Sequence, residues 1–268
     1  MIELKTPAEI ERKRTTGQFV AQLLSEVGEL ADVGVNLLDL EHHVRGRIRE
    51  RGAQSCYWDY ARPSATTRSA TSSACRPTTR CPTDCRTTTR CATGTSSPWI
   101  SRSGSTAGSR TPPEPSSWAP RPTRTCDWSA PNEEALEAGI EAARPGNRLG
   151  DVSAAIEAVA TDYGYPVNTE FGGHGLGGPC TRTPTCPTRA APGRGLELRP
   201  GMTLALEPWL ARTTDRIVID SDGWTIRSAD GSRTAHSEHT VAVTEGGPQV
   251  LTQHLPRHTD SALARSQA

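Results

Sequence analysis

Residues 198–210 read LRPGMTLALEPWL, and the fold turns on how this stretch is read. Met202 to Leu210 is short, apolar and β-rich, so it predicts a strand. Glu207 sits inside it. A carboxylate within a strand that otherwise reads as core is costly to bury unless it is paired or bound to a cation. The stretch therefore predicts both a buried sheet and a charged centre within that sheet.

The neighbouring segments continue the pattern. Downstream, RIVIDSDGWTIRS (216–228) and HSEHTVAVTE (236–245) are also β-rich, with Asp-Gly turn signals at 222–223 and 230–231. Upstream the periodicity is helical. Ile10, Phe19, Val20, Leu23, Leu24, Val27 and Leu30 predict a helix within residues 7–30. Asn36 is placed to cap a second helix that Gly52 ends. PNEEALEAGIEAARPG (131–146) has Pro at its start, acids in its first turn and Pro-Gly at its stop. DVSAAIEAVATDYG (151–164) has Asp151 as a candidate N-cap and Gly164 as a stop. The expectation is an α+β fold, with helices around a largely antiparallel sheet and no internal repeat.

The 268 residues carry 30 basic and 30 acidic side chains, a net charge of zero. That gives no overall bias toward nucleic acid or anionic membrane. There is no apolar run of transmembrane length, and the charged N-terminus MIELKTPAEIERKR lacks the apolar core of a signal peptide. A cytoplasmic location with mostly reduced thiols is expected.

Three stretches look chemical. In TEFGGHGLG (169–177) glycines flank His174; in the 198–210 stretch Glu207 lies in an apolar strand; in SRTAHSEHTVAVTE (232–245) Glu238 lies between His236 and His239. Two strand carboxylates and a Gly-framed imidazole suit a divalent metal. Each residue alone also has a plain structural reading. Glu207 can pair with Arg212, His174 can be a hydrogen-bonded loop residue, and His236 and His239 can lie on the surface.

Taken together and in order, KTPAEIERKR, TEFGGHGLG, RPGMTLALEPWL and DGWTIRSADGSRTAHSEHTV resemble type I methionine aminopeptidases, which have the pita-bread metallopeptidase fold. The resemblance covers about 1–60, 131–177 and 193–250. It implies two divalent ions (Co, Mn, Fe or Zn) held by two Asp, one His and two Glu. The last three correspond to His174, Glu207 and Glu238. It implies that His174 and Glu207 are catalytic, with Glu207 as base for the water that attacks the peptide bond after the initiator methionine. It also implies that Tyr57 and Tyr60 in SCYWDY, with Trp224 in DGWT, line the methionine pocket. The implied substrate is a nascent peptide N-terminus and the implied state a monomer. A non-catalytic pita-bread protein that binds a peptide or partner is the alternative.

The window from Ala61 to Ser129 departs from all of this. It contains ten Arg against three acids and five of the eight Cys, but no Leu, Val, Phe or Tyr. Such a composition cannot offset ordering entropy by burial. A second odd patch, GPCTRTPTCPTRAAP, spans 178–192. The Cys spacings of six, four and six from Cys75 to Cys91 do not fit a zinc knuckle, and no nucleic-acid recognition module accompanies the arginines. Both patches read as DNA translated out of frame. Shifted one base back, Trp99-Ile100 must encode Asp, because Trp is TGG and Ile begins AT. Eleven residues on, Arg110-Thr111 encodes Asp when the Arg codon ends in G. The shift recovers the family's Asp pair. With ordinary GC-rich codons it also yields His-Gly-Leu-Pro from 82–86 and a His-containing run from 179–185. The chain as written is therefore expected to be one domain over 1–250, poorly ordered in 61–129 and 178–192, with a disordered tail at 251–268. It is expected to hold one metal ion or none and to have impaired activity.

Overall fold

A computed structural model of the chain describes residues 2–32, 34–55, 130–177, 181–221 and 225–253. Helix α1 (Pro7–Leu30) starts at a capping box: Thr6 Oγ1 accepts from Glu9 N–H, and the Glu9 carboxylate accepts from Thr6 N–H at 2.8 Å. The Asn36 side chain caps α2 (Leu37–Glu50) by accepting from Leu38 N–H at 3.0 Å. Helices α3 (Ala130–Ala142) and α4 (Leu149–Asp162) follow and pack on each other. Asp151 is not the N-cap of α4. It lies at the third helical position and accepts from Arg148 N–H at 2.7 Å, because the helix begins three residues earlier than an Asp151 cap would place it.

The sheet follows in chain order. Strands β1 (Gly173–Leu176), β2 (Thr181–Cys186), β3 (Thr203–Leu206), β8 (His239–Thr244) and β9 (Gly247–Val250) form five antiparallel neighbours in the order β2-β1-β3-β8-β9. Strand β4 (Trp209–Ala211) pairs with β7 (Thr234–His236), and β5 (Ile217–Ile219) with β6 (Ile226–Ser228). Strands β5 and β6 pair with each other across residues 220–225; the Asp222-Gly223 turn signal falls at 222–224, which lie outside the described residues. Asp230-Gly231 closes no hairpin, since β6 and β7 belong to different sheets. There Asp230 accepts hydrogen bonds from Ser228 Oγ and Ser232 N–H.

Alternation along the strands sorts the two faces. Leu204, Leu206, Leu210, Val241 and Val243, each at most 1% exposed, join Leu136, Val152 and Ile156 of α3 and α4 in the main core. Burying a Leu or Val fully is worth about 1.5–3 kcal/mol, so this layer fixes which face of β3 and β8 turns inward. On the opposite face Ala242 packs with Ile10 of α1 and Leu251. Leu251 is 1% exposed and Thr252 Oγ1 accepts from Thr240 N–H. Residues 251–253 at the start of the predicted tail thus pack against the sheet, while 254–268 lie outside the described residues.

Strand β2 runs through the second odd patch, which composition marks as poorly ordered. A strand is held by its main chain, and among the described residues β2 lies at the end of the sheet, where Pro184 is tolerated. The register slips between His174↔Thr185 and Gly175↔Arg182, leaving residues 183–184 as a bulge around the residue that has no N–H to give. Ser153 Oγ donates to Pro187 O at 2.5 Å and fixes the end of the patch to α4. The first window, 61–129, lies outside the described residues.

Candidate metal centre

The stretch that predicts a single strand is broken in two, and the break makes the site. Strand β3 ends at Leu206 and β4 begins at Trp209; β7 ends at His236 and β8 begins at His239. The pairs on either side are Leu206↔His239 and Trp209↔His236, so the register carries through the gap. Glu207-Pro208 therefore faces Ser237-Glu238, with the two carboxylates directly opposite. Backbone groups at such a break need partners. Asn132 of α3, fully buried, supplies them: its amide donates to Pro208 O at 3.1 Å and accepts from Ser237 N–H at 2.7 Å and from Ser237 Oγ at 2.8 Å.

His174 reaches the same face from β1, whose residue 174 pairs with Ala205, two positions before Glu207. Its Nε2 lies 3.6 Å from Glu207 Oε1. Its Nδ1 lies 3.1 Å from Gly175 O. A carbonyl only accepts, so Nδ1 carries a proton and Nε2 is the ring atom turned toward the carboxylate. Gly173 makes the close approach of β1 and β3 possible: a Cβ there would lie 2.2 Å from Ala205 O.

On the other side of Glu207, Oε2 lies 3.2 Å from His236 Nε2. His236 is 8% exposed and meets the ring of Trp209 edge-on, with centroids 4.9 Å apart; Trp209 in turn stacks on Phe171 at 5.2 Å. Donor atoms of Glu207, His236 and Glu238 all lie within 4.8 Å of one another. Cys186, paired with Gly173 on β2, is buried; burial first, and then the charge of Glu207, pushes its thiol up to about 12, so it stays protonated beside the site.

The structure thus brings Glu207 together with both His174 and Glu238. It corrects two plain readings, since His174 lies on a strand rather than in a loop and His236 is buried rather than on the surface. His236 was legible in principle, because in an extended chain it shares a face with Glu238 two residues on. Asn132 gave no signal beyond a polar residue in a helix's first turn. Tyr57, Tyr60 and Trp224 lie outside the described residues. No helix among the described residues is long and apolar enough to cross a membrane.

The donor set of two carboxylates and two imidazoles suits a divalent cation. A profile of metallopeptidase family M24 matches residues 128–245, which include all four residues. The methionine aminopeptidase of Aquifex aeolicus is 31% identical over 265 residues, covering 94% of this chain and 99% of that protein. Methionine aminopeptidase 1 of Mycobacterium tuberculosis is 47% identical over 130 residues, 46% of this chain and 49% of that protein. The crystal structure of methionine aminopeptidase from Thermotoga maritima superposes with a TM-score of 0.75 at 28% identity, covering 95% of this chain and all of that one. The pita-bread fold, the donor set and a relative aligned along nearly its whole length agree: the chain belongs to the methionine aminopeptidases, metallopeptidases of family M24.

Proposed function

We propose that this chain removes the N-terminal methionine from nascent peptides by metal-assisted hydrolysis, with His174, Glu207 and Glu238 as metal ligands. The observation that carries this reading is the position of Glu207, with Nε2 of His174 3.6 Å from one oxygen and Glu238 in register across the gap. A divalent ion (Co, Mn, Fe or Zn) supplies, when bound, Lewis acidity toward a peptide carbonyl and the acidification of water. Glu207 takes the proton from the attacking water and returns it to the leaving amine. His174, with its tautomer set by Gly175 O, holds the geometry of that carboxylate. Tyr57, Tyr60 and Trp224 line the methionine pocket on the strength of the resemblance alone. The protein acts as a cytoplasmic monomer and needs neither nucleic acid nor membrane.

Residues 1–250 form one catalytic domain in which 61–129 and 178–192 are out of frame. In support, the M24 profile begins at residue 128, where the arginine-rich window ends. Loss of the Asp pair leaves three of the five implied ligands and lowers activity. The test is hydrolysis of a Met-Ala-Ser peptide with added cobalt or manganese. It is run on this chain, on a version with both patches shifted back one base, and on that version carrying Glu207→Gln. The restored chain is expected to be faster by about a hundredfold or more, the scale of losing one transition-state donor. Glu207→Gln is expected to lower its rate by about 10²–10⁴. Equal rates before and after restoration refute the frame reading, and an inactive restored chain refutes the peptidase reading.

A further inference from the structure

We propose that His236 is itself a direct metal ligand, seating one borderline divalent cation such as zinc or cobalt between Glu207, His236 and Glu238. The family ligand set implied by the sequence contains a single histidine, at His174. The structure puts a second imidazole against the other oxygen of the same glutamate.

Three observations carry this. The donor atoms of Glu207, His236 and Glu238 form a group within 4.8 Å of one another that does not need His174. Ligand atoms about 2.0–2.2 Å from a tetrahedral ion lie roughly 3.3–3.6 Å apart. The His236 Nε2–Glu207 Oε2 separation of 3.2 Å is therefore close to ligand spacing already. Finally, His236 is the most enclosed of the three, packed edge-on to Trp209, whose other face is covered by Phe171. A ring held this way loses little freedom on binding. Two carboxylates balance the charge of one dication. An imidazole among the donors favours zinc or cobalt over magnesium or calcium.

The inference rests on the metal-dependent reading of the site, so its test measures metal and not turnover. Zinc affinity is measured by chelator competition on the full chain and on His236→Ala, His236→Gln, His174→Ala and, as a surface control, His42→Ala. Each is first checked for its circular dichroism. Zinc X-ray absorption then counts imidazoles on the bound ion. The unaltered chain and His42→Ala are expected to bind one zinc alike. His236→Ala and His236→Gln are expected to lose more than a hundredfold in affinity and one imidazole from the spectrum. A purely outer position for His236 predicts only a 10–100-fold loss with the imidazole count unchanged, and that result overturns the inference. So does an imidazole signal that vanishes in His174→Ala and survives in His236→Gln, or a folded chain that binds no zinc. The spectrum of the unaltered chain needs no variant to fold. A chain that binds zinc through His236 but cleaves no peptide upholds this inference while refuting the proposed activity.

Discussion

Glu207 and Glu238 stand directly opposite each other across the gap between two antiparallel ladders, bracketed by Leu206↔His239 and Trp209↔His236. Like charges in that relation repel. The metal-free chain therefore carries a local penalty that a cation removes. In chelator, Glu238→Gln is expected to be more stable than the unaltered chain by about 0.5–1 kcal/mol, the scale of a cross-strand pair. With zinc at a hundred times its dissociation constant the order reverses, because bound ligand adds about 2.7 kcal/mol to the unaltered chain. Thermal melts with and without metal check this. A Glu238→Gln variant less stable than the unaltered chain in both conditions shows that the carboxylates do not repel.

Asn132 holds that gap open in the right shape. Replacing it by Ala leaves Pro208 O and Ser237 N–H without this partner, beside the fully buried Pro208. Leaving buried polar groups unsatisfied costs about 1–3 kcal/mol each, so Asn132→Ala is expected to destabilise by about 2–4 kcal/mol in urea unfolding. Zinc affinity falls with it, because the two glutamates lose their spacing. A loss below about 0.5 kcal/mol contradicts the clamp.

The contrast between these residues shows what a sequence of this kind discloses. Glu207 and Glu238 are visible because a charge in an apolar strand violates the local pattern, and a violation asks for a reason. Asn132 violates nothing: a polar residue in a helix's first turn is ordinary, and only the tertiary position of α3 over the gap gives it work. His236 falls between the two, since a period of two ties it to Glu238 but gives no hint of burial. The helices were legible for a local reason as well, each having its own caps and periodicity, as Pro7–Leu30 does. The break in the 202–210 strand was not, because Pro208 is its only local mark and the exchange of partner from β8 to β7 is set by pairing far along the chain.

Two glycines predict opposite effects of the same substitution. At Gly173 an added Cβ would lie 2.2 Å from Ala205 O, so Gly173→Ala must push β1 off β3 and carry His174 away from Glu207. A loss of about 1–3 kcal/mol, the usual cost of overpacking, is expected together with weaker zinc binding. Gly46 lies inside α2 with nothing within 4 Å of an added Cβ. Gly46→Ala is expected to stabilise by about 0.5–1 kcal/mol through helix propensity and to leave zinc binding alone. Paired urea titrations decide it, and a shift of the same sign in both contradicts the geometry.

The contact between α1 and α2 should fail in acid, and Glu26 is the reason. Its carboxylate accepts from Arg47 Nε at 2.8 Å and Nη2 at 3.1 Å, from Gln22 at 2.9 Å, and lies 3.1 Å from His43 Nε2. The Arg47 hydrogen bond foremost, aided by His43 and Gln22 and opposed by burial, holds Glu26 below its ordinary value of 4.5. A carboxylate depressed on folding contributes stability that is fully present above its unfolded value and disappears as pH falls through the folded one. Charge-assisted bonds of this kind contribute about 1.5–3 kcal/mol when enclosed and less where solvent reaches them, and Arg47 is 30% exposed. Glu26→Gln is therefore expected to lower the melting temperature modestly at pH 7, by no more than the loss of about 1 kcal/mol that an exposed ion pair supplies. Below pH 4.5 the deficit shrinks as the native glutamate takes up its own proton, and at the lowest pH the two chains should melt together. A deficit of the same size at pH 7 and pH 3 means that the Glu26 charge contributes nothing to holding α1 on α2.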